Sequence, residues 1–447
     1  MNKKILFSTV TVSVILASST IAYADAKDDK IARLEGQMQA LMAKVEELSK
    51  NQDSITQNYS KQMSSGSGSG LSGVKVSMKP SPKIESADGK YSFQPFGRVH
   101  LDYTAFDDDL HNHPDNSDWR RTRFGFKGKL GDNLKYKYEM DLADQKVAYK
   151  EIYLKYTGLD LFDIKIGHFK PFQGLNQLTS SNYISATERA SAMDVFARGE
   201  TTGLAIQSHG DNWGAHLGLF GEPAGSTSDT DDEDVSLAAR VTAAPLNEKG
   251  KVLHLGFSAS VRADRNGAGN SYSSRGETGD GDKLISTGTI SNVDDVKVYG
   301  LELAGILGGF HGQAEYLTMD VSRDNGAPDA DFSGWYAQAG YILTGESRPY
   351  KVSSGTFGRI KPKSPFDIEN GGWGAFEVVG RYSNTDLNDT GAGILGGELD
   401  VITGGINWYV NNNIRVMANY RLAETDQNGV VPNDEPKSFT LRTQFDF

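Results

Sequence analysis

Ser438-Phe-Thr-Leu-Arg-Thr-Gln-Phe-Asp-Phe447 alternates along its length. Phe439, Leu441, Phe445 and Phe447 share one face of an extended chain, with Thr443 among them, and Thr440, Arg442, Gln444 and Asp446 share the other. A period of two is the signature of a β-strand. An oily face opposite a charged one suits a closed barrel whose outside is lipid. In a soluble sandwich the outward face would be the polar one, and a single strand does not distinguish the two. The composition around it does.

The 447 residues are 38% hydrophobic, with no cysteine, 50 glycines and 13 prolines. That length ordinarily implies two or three soluble domains, yet no linker divides residues 91–447. A membrane barrel explains both the undivided length and the low hydrophobic fraction, because half of each strand faces water. No apolar stretch after residue 24 approaches the ~20 residues that a spanning helix requires. Lys3 and Lys4 precede the apolar run 5–17, and Ala22-Tyr23-Ala24 offers a small-x-small cleavage pattern, so residues 1–24 read as an export signal. An exported chain without cysteine does not rely on disulfides. Export and barrel strands together point to the outer membrane of a Gram-negative bacterium, with lipid and lipopolysaccharide as the barrel's surroundings.

Ile31, Leu34, Met38, Leu41, Val45, Leu48, Gln52 and Ile55 fall at spacings alternating three and four, a heptad seam with Gln52 as its polar position. Residues 25–60 are therefore expected to form an α-helical coiled coil, since a lone helix of this length is marginal in water. Residues 61–90 read as a flexible linker: Ser64–Gly70 is Gly/Ser-rich, and 71–90, with Pro80 and Pro82, is expected to be extended and poorly ordered. From 91 to 447 the alternation recurs in sixteen candidate strands, so the fold expected is all-β, a 16-stranded antiparallel transmembrane barrel. Tight turns such as Gly131-Asp132-Asn133 and Asn411-Asn412-Asn413 alternate along most of the chain with long connections, including 170–200, 221–234, 264–295, 344–372 and 385–398. One rim of short periplasmic turns and one of long external loops would produce that pattern.

The inner face is rich in arginine. If Phe124, Phe126 and Leu130 face lipid, then Arg121, Arg123, Lys127 and Lys129 face the lumen, and the next strand places Lys135 and Lys137 there with Glu139 and Asp141. The same parity puts Arg98, Arg240, Arg262, Arg381, Arg415, Arg421 and Arg442 inside. A guanidinium stays charged and offers a planar fork of donors to oxyanions, so a series of forks would let a phosphate-like ion exchange partners in steps. The alternative reading is that these arginines pair with Glu139, Asp141, Glu151, Glu302 or Glu377 and brace the wall. The formal charge of −12 does not oppose an electropositive interior. Acidic loops such as 229–234 lie more than a screening length (~8 Å) from mid-barrel. Loop 170–200 is long enough to fold inward and form a constriction, carrying Thr179, Ser180, Ser181, Glu188, Arg189 and Arg198. His111 with His113, the acidic run 229–234 and 279–282 lack the ligand spacing of a metal site, so no metal and no cofactor are expected. No nucleophile motif and no phosphate-cradling loop is found.

The run Trp119-Arg-Arg-Thr-Arg-Phe-Gly-Phe-Lys-Gly128 resembles an early-strand signature of the phosphate-selective porin O and P family. Ile166-Gly-His-Phe-Lys-Pro-Phe172, Leu178-Thr-Ser-Ser181 with Glu188-Arg189, and Leu343-Thr-Gly-Glu-Ser-Arg-Pro-Tyr350 are similar to further family motifs. So are Gly355-Thr-Phe-Gly-Arg-Ile-Lys-Pro362, Gly372-Trp-Gly-Ala-Phe-Glu377, Arg381-Tyr-Ser383 and Asn407-Trp-Tyr409. The resemblance covers residues 93–447. It implies a homotrimer with one pore per chain, passing small anions such as phosphate along an arginine-lined path. Of the lysines that the family places near its constriction, loop 170–200 offers only Lys170. The expectation is thus a passive anion-preferring porin with no catalytic residues and no nucleic-acid partner. The alternatives are a general diffusion porin, a barrel enzyme acting on lipids, or a tether to the cell wall through residues 25–60.

Overall fold

Leu441 is 41% exposed and its neighbour Arg442 is 0% exposed. This is the reverse of a soluble protein, where large apolar side chains are covered and charges face out. The inversion runs through the whole sheet in the computed structural model. Phe439 and Phe445 are exposed while Thr440 and Gln444 are buried, and Leu301 and Leu303 are exposed while Glu302 is buried. An apolar belt outside and a polar interior is the membrane-barrel arrangement.

The described residues are 73–447, apart from 79–80, 226–231, 266–268, 430–431 and the side chain of residue 144, together with 36, 39, 43, 44 and 47. The chain divides into two units, 1–72 and 73–447. In the first, Gly36, Gln39, Ala43, Lys44 and Glu47 are helical. The expected export signal, the heptad seam from Ile31 to Ile55 and the Gly/Ser stretch 64–70 lie outside the described residues.

Sixteen strands make the barrel. They are β1 (Tyr91–Asp107), β2 (Asn116–Leu130), β3 (Leu134–Asp141), β4 (Ala148–Tyr156), β5 (Asp163–Phe169), β6 (Thr201–His209), β7 (Trp213–Phe220) and β8 (Val235–Glu248). There follow β9 (Lys251–Ala263), β10 (Val293–Leu307), β11 (Phe310–Arg323), β12 (Ala330–Ile342), β13 (Ala375–Asp389), β14 (Ile394–Tyr409), β15 (Ile414–Asp426) and β16 (Lys437–Asp446). Each pairs antiparallel with the next. β16 returns to β1 with Leu441 opposite Tyr103 and Asp446 opposite Arg98, so no barrel edge is left open. Two further strands, Val74–Ser77 and Lys83–Ser86, form a hairpin on the start of β1, Ile84 opposite Phe93. That stretch was expected to be poorly ordered. Val74, Val76 and Ile84 instead alternate with Lys75, Ser77, Lys83 and Glu85 at the strand period.

The rim with the tight turns at 131–133, 210–212, 249–250, 308–309 and 410–413 is the periplasmic one by the rule of short periplasmic turns. Two connections depart from expectation. The stretch 385–398 is largely strand, because β13 and β14 run long and leave only a turn at 390–393. The segment 343–374 lies on the short-turn rim and folds up into the lumen. Its Phe357 is 2% exposed within a core that includes Leu175 from the opposite side of the barrel, with Val252, Ala304 and Ile306 of the wall. Arg240 fixes its bend by donating to the carbonyls of Ser354 at 2.8 Å and Gly355 at 2.9 Å. Gly355 has φ +55°, and a Cβ there would lie 2.8 Å from Thr242 Cγ2, so the position requires glycine.

Amide hydrogen exchange should therefore show residues 350–360 protected to the level of the neighbouring strands, with loop residues 221–225 exchanging orders of magnitude faster. Equal, fast exchange in both segments would place 343–374 outside the lumen.

Candidate functional site

Loop 170–200 is held inside the barrel by arginines of the wall and of the segment 343–374. Arg348 donates to the carbonyl of Tyr183 at 2.8 Å, Arg415 to that of Ile184 at 2.8 Å, and Arg381 to that of Glu188 at 3.0 Å. Arg442 donates to the carbonyl of Thr187, and Arg421 to its hydroxyl. A loop buried in a lumen exposes carbonyls to a space with little water, and each must find a donor. The guanidinium fork supplies several per side chain.

Acids of the wall satisfy the loop's amides in return. Glu315 of β11 accepts from the amides of Leu175 at 2.7 Å and Asn176 at 2.8 Å, at the start of a short helix, α1 (Leu175–Leu178). Glu277, reaching in from the external loop 264–292, accepts from the amide of Ser191 at 3.0 Å, at the start of α2 (Ser191–Phe196). It also takes bonds from Arg381 and Ser383. The apolar side of α2 packs Met193 and Phe196 on Leu317, Met319, Phe332 and Val401, an apolar patch on the inner wall. Contact is closest at Gly334, where a Cβ would fall 2.7 Å from that of Ala192.

Glu188 is the centre of an ionic cluster inside the barrel. Arg120, Arg121 and Arg442 all donate to it, at 3.0–3.1, 3.0–3.2 and 2.6 Å, and Arg442 also forks onto Asp102 with both bonds at 2.6 Å. Arg120 and Arg121 are sequence neighbours and should point opposite ways. A β-bulge reconciles them: two residues of β2, Trp119 and Arg120, face the single residue Leu101 between the pairs His100–Arg121 and Asp102–Asp118. Trp119 then faces outward at 57% exposed and both arginines face in. Burial alone would push the Glu188 carboxyl up, but Arg120, Arg121 and Arg442 together hold it well below the usual carboxylate range.

The other expected site residues fall as follows. Arg98 pairs with Glu139 at 2.8 Å and donates to Ser180 and Ser181, Arg123 pairs with Asp141 at 2.7 Å, and Arg240 forks onto Glu302. Arg262 pairs with Asp234 at 2.5 Å. Arg198 sits 3.7 Å from Glu222, and Arg189 donates to the carbonyls of Asn176 and Thr179. The Thr179 hydroxyl accepts from the amide of Phe357 at 3.4 Å, joining the loop to the segment from the other rim. Arg189, Arg348, Arg415 and Arg421 have no carboxylate within 4 Å among the described residues and are held by neutral groups. Sequence reasoning left out Arg120, Arg348, Lys150 and Lys165. The Arg-Arg doublet in an alternating strand was the available signal for Arg120. A second bulge, in β4, brings Lys150 and Glu151 inward together.

Lysines occupy the wall that the loop leaves open. Lys129, Lys135, Lys155 and Lys165 are successive cross-strand partners on β2 to β5, one row just inside the periplasmic mouth, and Lys127 stands opposite Lys137 in the row above. Like charges directly opposite repel. Asp163 offsets Lys155 at 2.8 Å, and Glu151 offsets Lys137 and lies 3.9 Å from Lys165. Lys127, Lys129 and Lys135 have no carboxylate within 4 Å among the described residues and are exposed or half-exposed to the lumen. Lys127 lies 5.2 Å from the centre of the Phe96 ring.

The family model described as phosphate-selective porin O and P matches residues 93–447. Porin O of Pseudomonas aeruginosa is 30% identical over 421 residues, covering 84% of this chain and 92% of that protein. Among solved structures, the anion-selective porin from Comamonas acidovorans is similar with a TM-score of 0.52 and 12% identity, over 80% of this chain and 100% of that one. The trimer form of in-vitro folded OmpT, an outer membrane protein of Vibrio cholerae, is similar at 0.50 and 12% identity, over 80% and 99%. Identities this low speak to the fold, a porin barrel.

Glu188→Ala should unlatch the loop. Removing one partner of a buried ionic cluster costs about 3–5 kcal/mol, so single-channel current in planar bilayers should become larger and noisier. The pH dependence has a definite sign. A depressed carboxyl contributes stability that is complete above its unfolded value, ~4.3, and is lost only as pH falls through the lower folded value. The wild-type current should therefore stay quiet at pH 4. A quiet, unchanged alanine variant, or a wild type that turns noisy at pH 4.5, would contradict the latch.

Proposed function

We infer, for a chain that belongs to the phosphate-selective porin O and P family, that small oxyanions cross its lumen along the lysine wall of β2 to β5. The protein is an anion-selective channel of the Gram-negative outer membrane. Its family and fold are those of a channel rather than an enzyme. The observation that carries the finer reading is the lysine row, in which Lys127, Lys129 and Lys135 keep their charge without a neutralising partner.

The physical division is between arginines that hold and lysines that conduct. A guanidinium already forked onto a carboxylate or a carbonyl has few donors left for a passing ion. A lysine ammonium on a flexible stem is a compact, strongly hydrated charge. It attracts phosphate-like ions without the bidentate grip that would slow their release. The uncompensated charges of Arg189, Arg348, Arg415 and Arg421 add a positive background behind the wall. At physiological salt this field reaches ~8 Å, so it governs the narrow part of the lumen and not the external loops. The trimeric neighbour from Vibrio cholerae and the exposed apolar belt support a homotrimer embedded in lipid as the working assembly.

Replacing Lys127, Lys129 and Lys135 together by glutamate removes three positive charges and adds three negative ones. Reversal potentials across a salt gradient should move from anion towards cation preference, most clearly at ~0.01 M salt, where screening extends to ~30 Å. Glutamine versions should reduce anion preference without reversing it. Selectivity unchanged in the glutamate variant, with the barrel still migrating as a heat-sensitive oligomer on detergent gels, would remove the lysine wall from the pathway.

A further inference from the structure

A cavity of about 380 Å³ lies between the end of loop 170–200, the outer halves of β9 to β11 and the external-loop residues 222, 223, 234, 264, 269, 270 and 272. We propose that it binds a zwitterionic organic solute with an apolar side group, of the chemical class of an aromatic or branched α-amino acid. This goes beyond conduction of small inorganic anions, and the site is separate from the lysine wall.

Size is the first argument. The volume equals roughly a dozen waters at ~30 Å³ each and falls at the lower end of small-molecule pockets, ~300–1,000 Å³. A phosphate ion would occupy a small part of it.

The second argument is the division of its walls. Phe196, Val296, Val298 and Met319 are all buried and form one side, with Pro223 at the edge. These are apolar residues on the inner face of a barrel, where polar ones are the rule. The other side is ionic. Arg198 donates to Ser236 at 2.9 Å and to the carbonyl of Gly221 at 3.3 Å, and Arg262 pairs with Asp234 and bonds to Asn270. Those bonds engage two of the five N–H donors on each guanidinium. Asn270 in turn donates to Asp264 at 2.7 Å. The hydroxyl of Tyr272, also on the lining, faces the Arg262 guanidinium.

The charge balance selects the class. Two guanidiniums, Arg198 and Arg262, meet three carboxylates, Glu222, Asp234 and Asp264. Burial pushes the Glu222 carboxyl up, against the pull of Arg198 and with the push of Asp234. Arg198 stands 3.7 Å from Glu222 and Arg262 pairs with Asp234, so groups of both signs lie side by side on this wall. Such a wall offers both donors and acceptors, so it can pair both ends of a zwitterion. The apolar side group then covers Phe196 and Val298.

The test uses the purified full-length protein, with L-phenylalanine as probe and glycine, 3-phenylpropionate and phenethylamine as comparisons, each lacking one part of the recognised pattern. Binding is read by isothermal titration calorimetry in detergent and, separately, by current block in planar bilayers. L-Phenylalanine should bind and block at least tenfold better than any of the three. Asp264→Asn should weaken L-phenylalanine about tenfold and leave 3-phenylpropionate unchanged. Val298→Phe, which fills the cavity from its apolar side, should abolish the binding heat while the unblocked current persists. If Val298→Phe does not fold, Asp264→Asn, on an external loop, carries the test alone. Equal binding of L-phenylalanine and 3-phenylpropionate would assign the effect to the anion pathway, and equal binding of phenethylamine would make the cavity a cation site. Either result, or no binding heat for L-phenylalanine at millimolar concentration, would overturn the proposal.

Discussion

The structure depends on guanidinium groups of the barrel wall and of the segment 343–374 satisfying the backbone carbonyls of one inward-folded loop. Tyr183, Ile184, Thr187 and Glu188 each present a carbonyl to a different arginine, from the segment before β13, from β15, from β16 and from β13. A loop of this length placed in a lumen would otherwise leave polar backbone groups with neither protein nor bulk water as partner, at about 1–3 kcal/mol each. Arginine suits the task because its charge survives burial and its fork spans two acceptors. Once the carbonyls are held, Glu315 and Glu277 can receive the amides at the starts of α1 and α2, and α2 can lay Met193 and Phe196 on the wall.

This arrangement divides the lumen. The wall of β10 to β14 is partly apolar and carries the loop, while the wall of β1 to β5 remains polar and basic. The segment 343–374 closes the same space from below, meeting the loop where the amide of Phe357 reaches Thr179. Arg348 contributes to both, lying 3.9 Å from the Phe357 ring and donating to Tyr183. The net charge of the chain, −12, thus says little about the passage. What matters is which positive groups lack a near partner, and on the open wall these are Lys127, Lys129 and Lys135.

Much of this was legible in the sequence, because period two fixes parity and parity fixes the face. Arg442, Arg421, Arg415 and Arg381 follow from alternation alone, and loop 170–200 was identifiable from its length. What alternation does not encode was missed. Arg120 points inward through a bulge, and one extra residue in a strand leaves no mark on composition. The inward fold of 343–374 depends on Gly355 and on Arg240, which lies about a hundred positions earlier, a pairing that local periodicity does not contain. Val296, Val298 and Met319 sit on a face expected to be polar, because their partner is a helix inside the barrel. The partner of each arginine was likewise out of reach: parity gives a direction, and the choice between a passing ion and a held carbonyl is made in three dimensions.

The most direct test of the division between holding arginines and conducting lysines is to locate permeant anions in the lumen by anomalous diffraction from crystals equilibrated with bromide. The account predicts bromide peaks within about 3.5 Å of the ammonium groups of Lys127, Lys129 and Lys135, with Glu188 still seated between Arg120, Arg121 and Arg442. Bromide bound among those three arginines in place of Glu188, with none along the lysine wall, would contradict it.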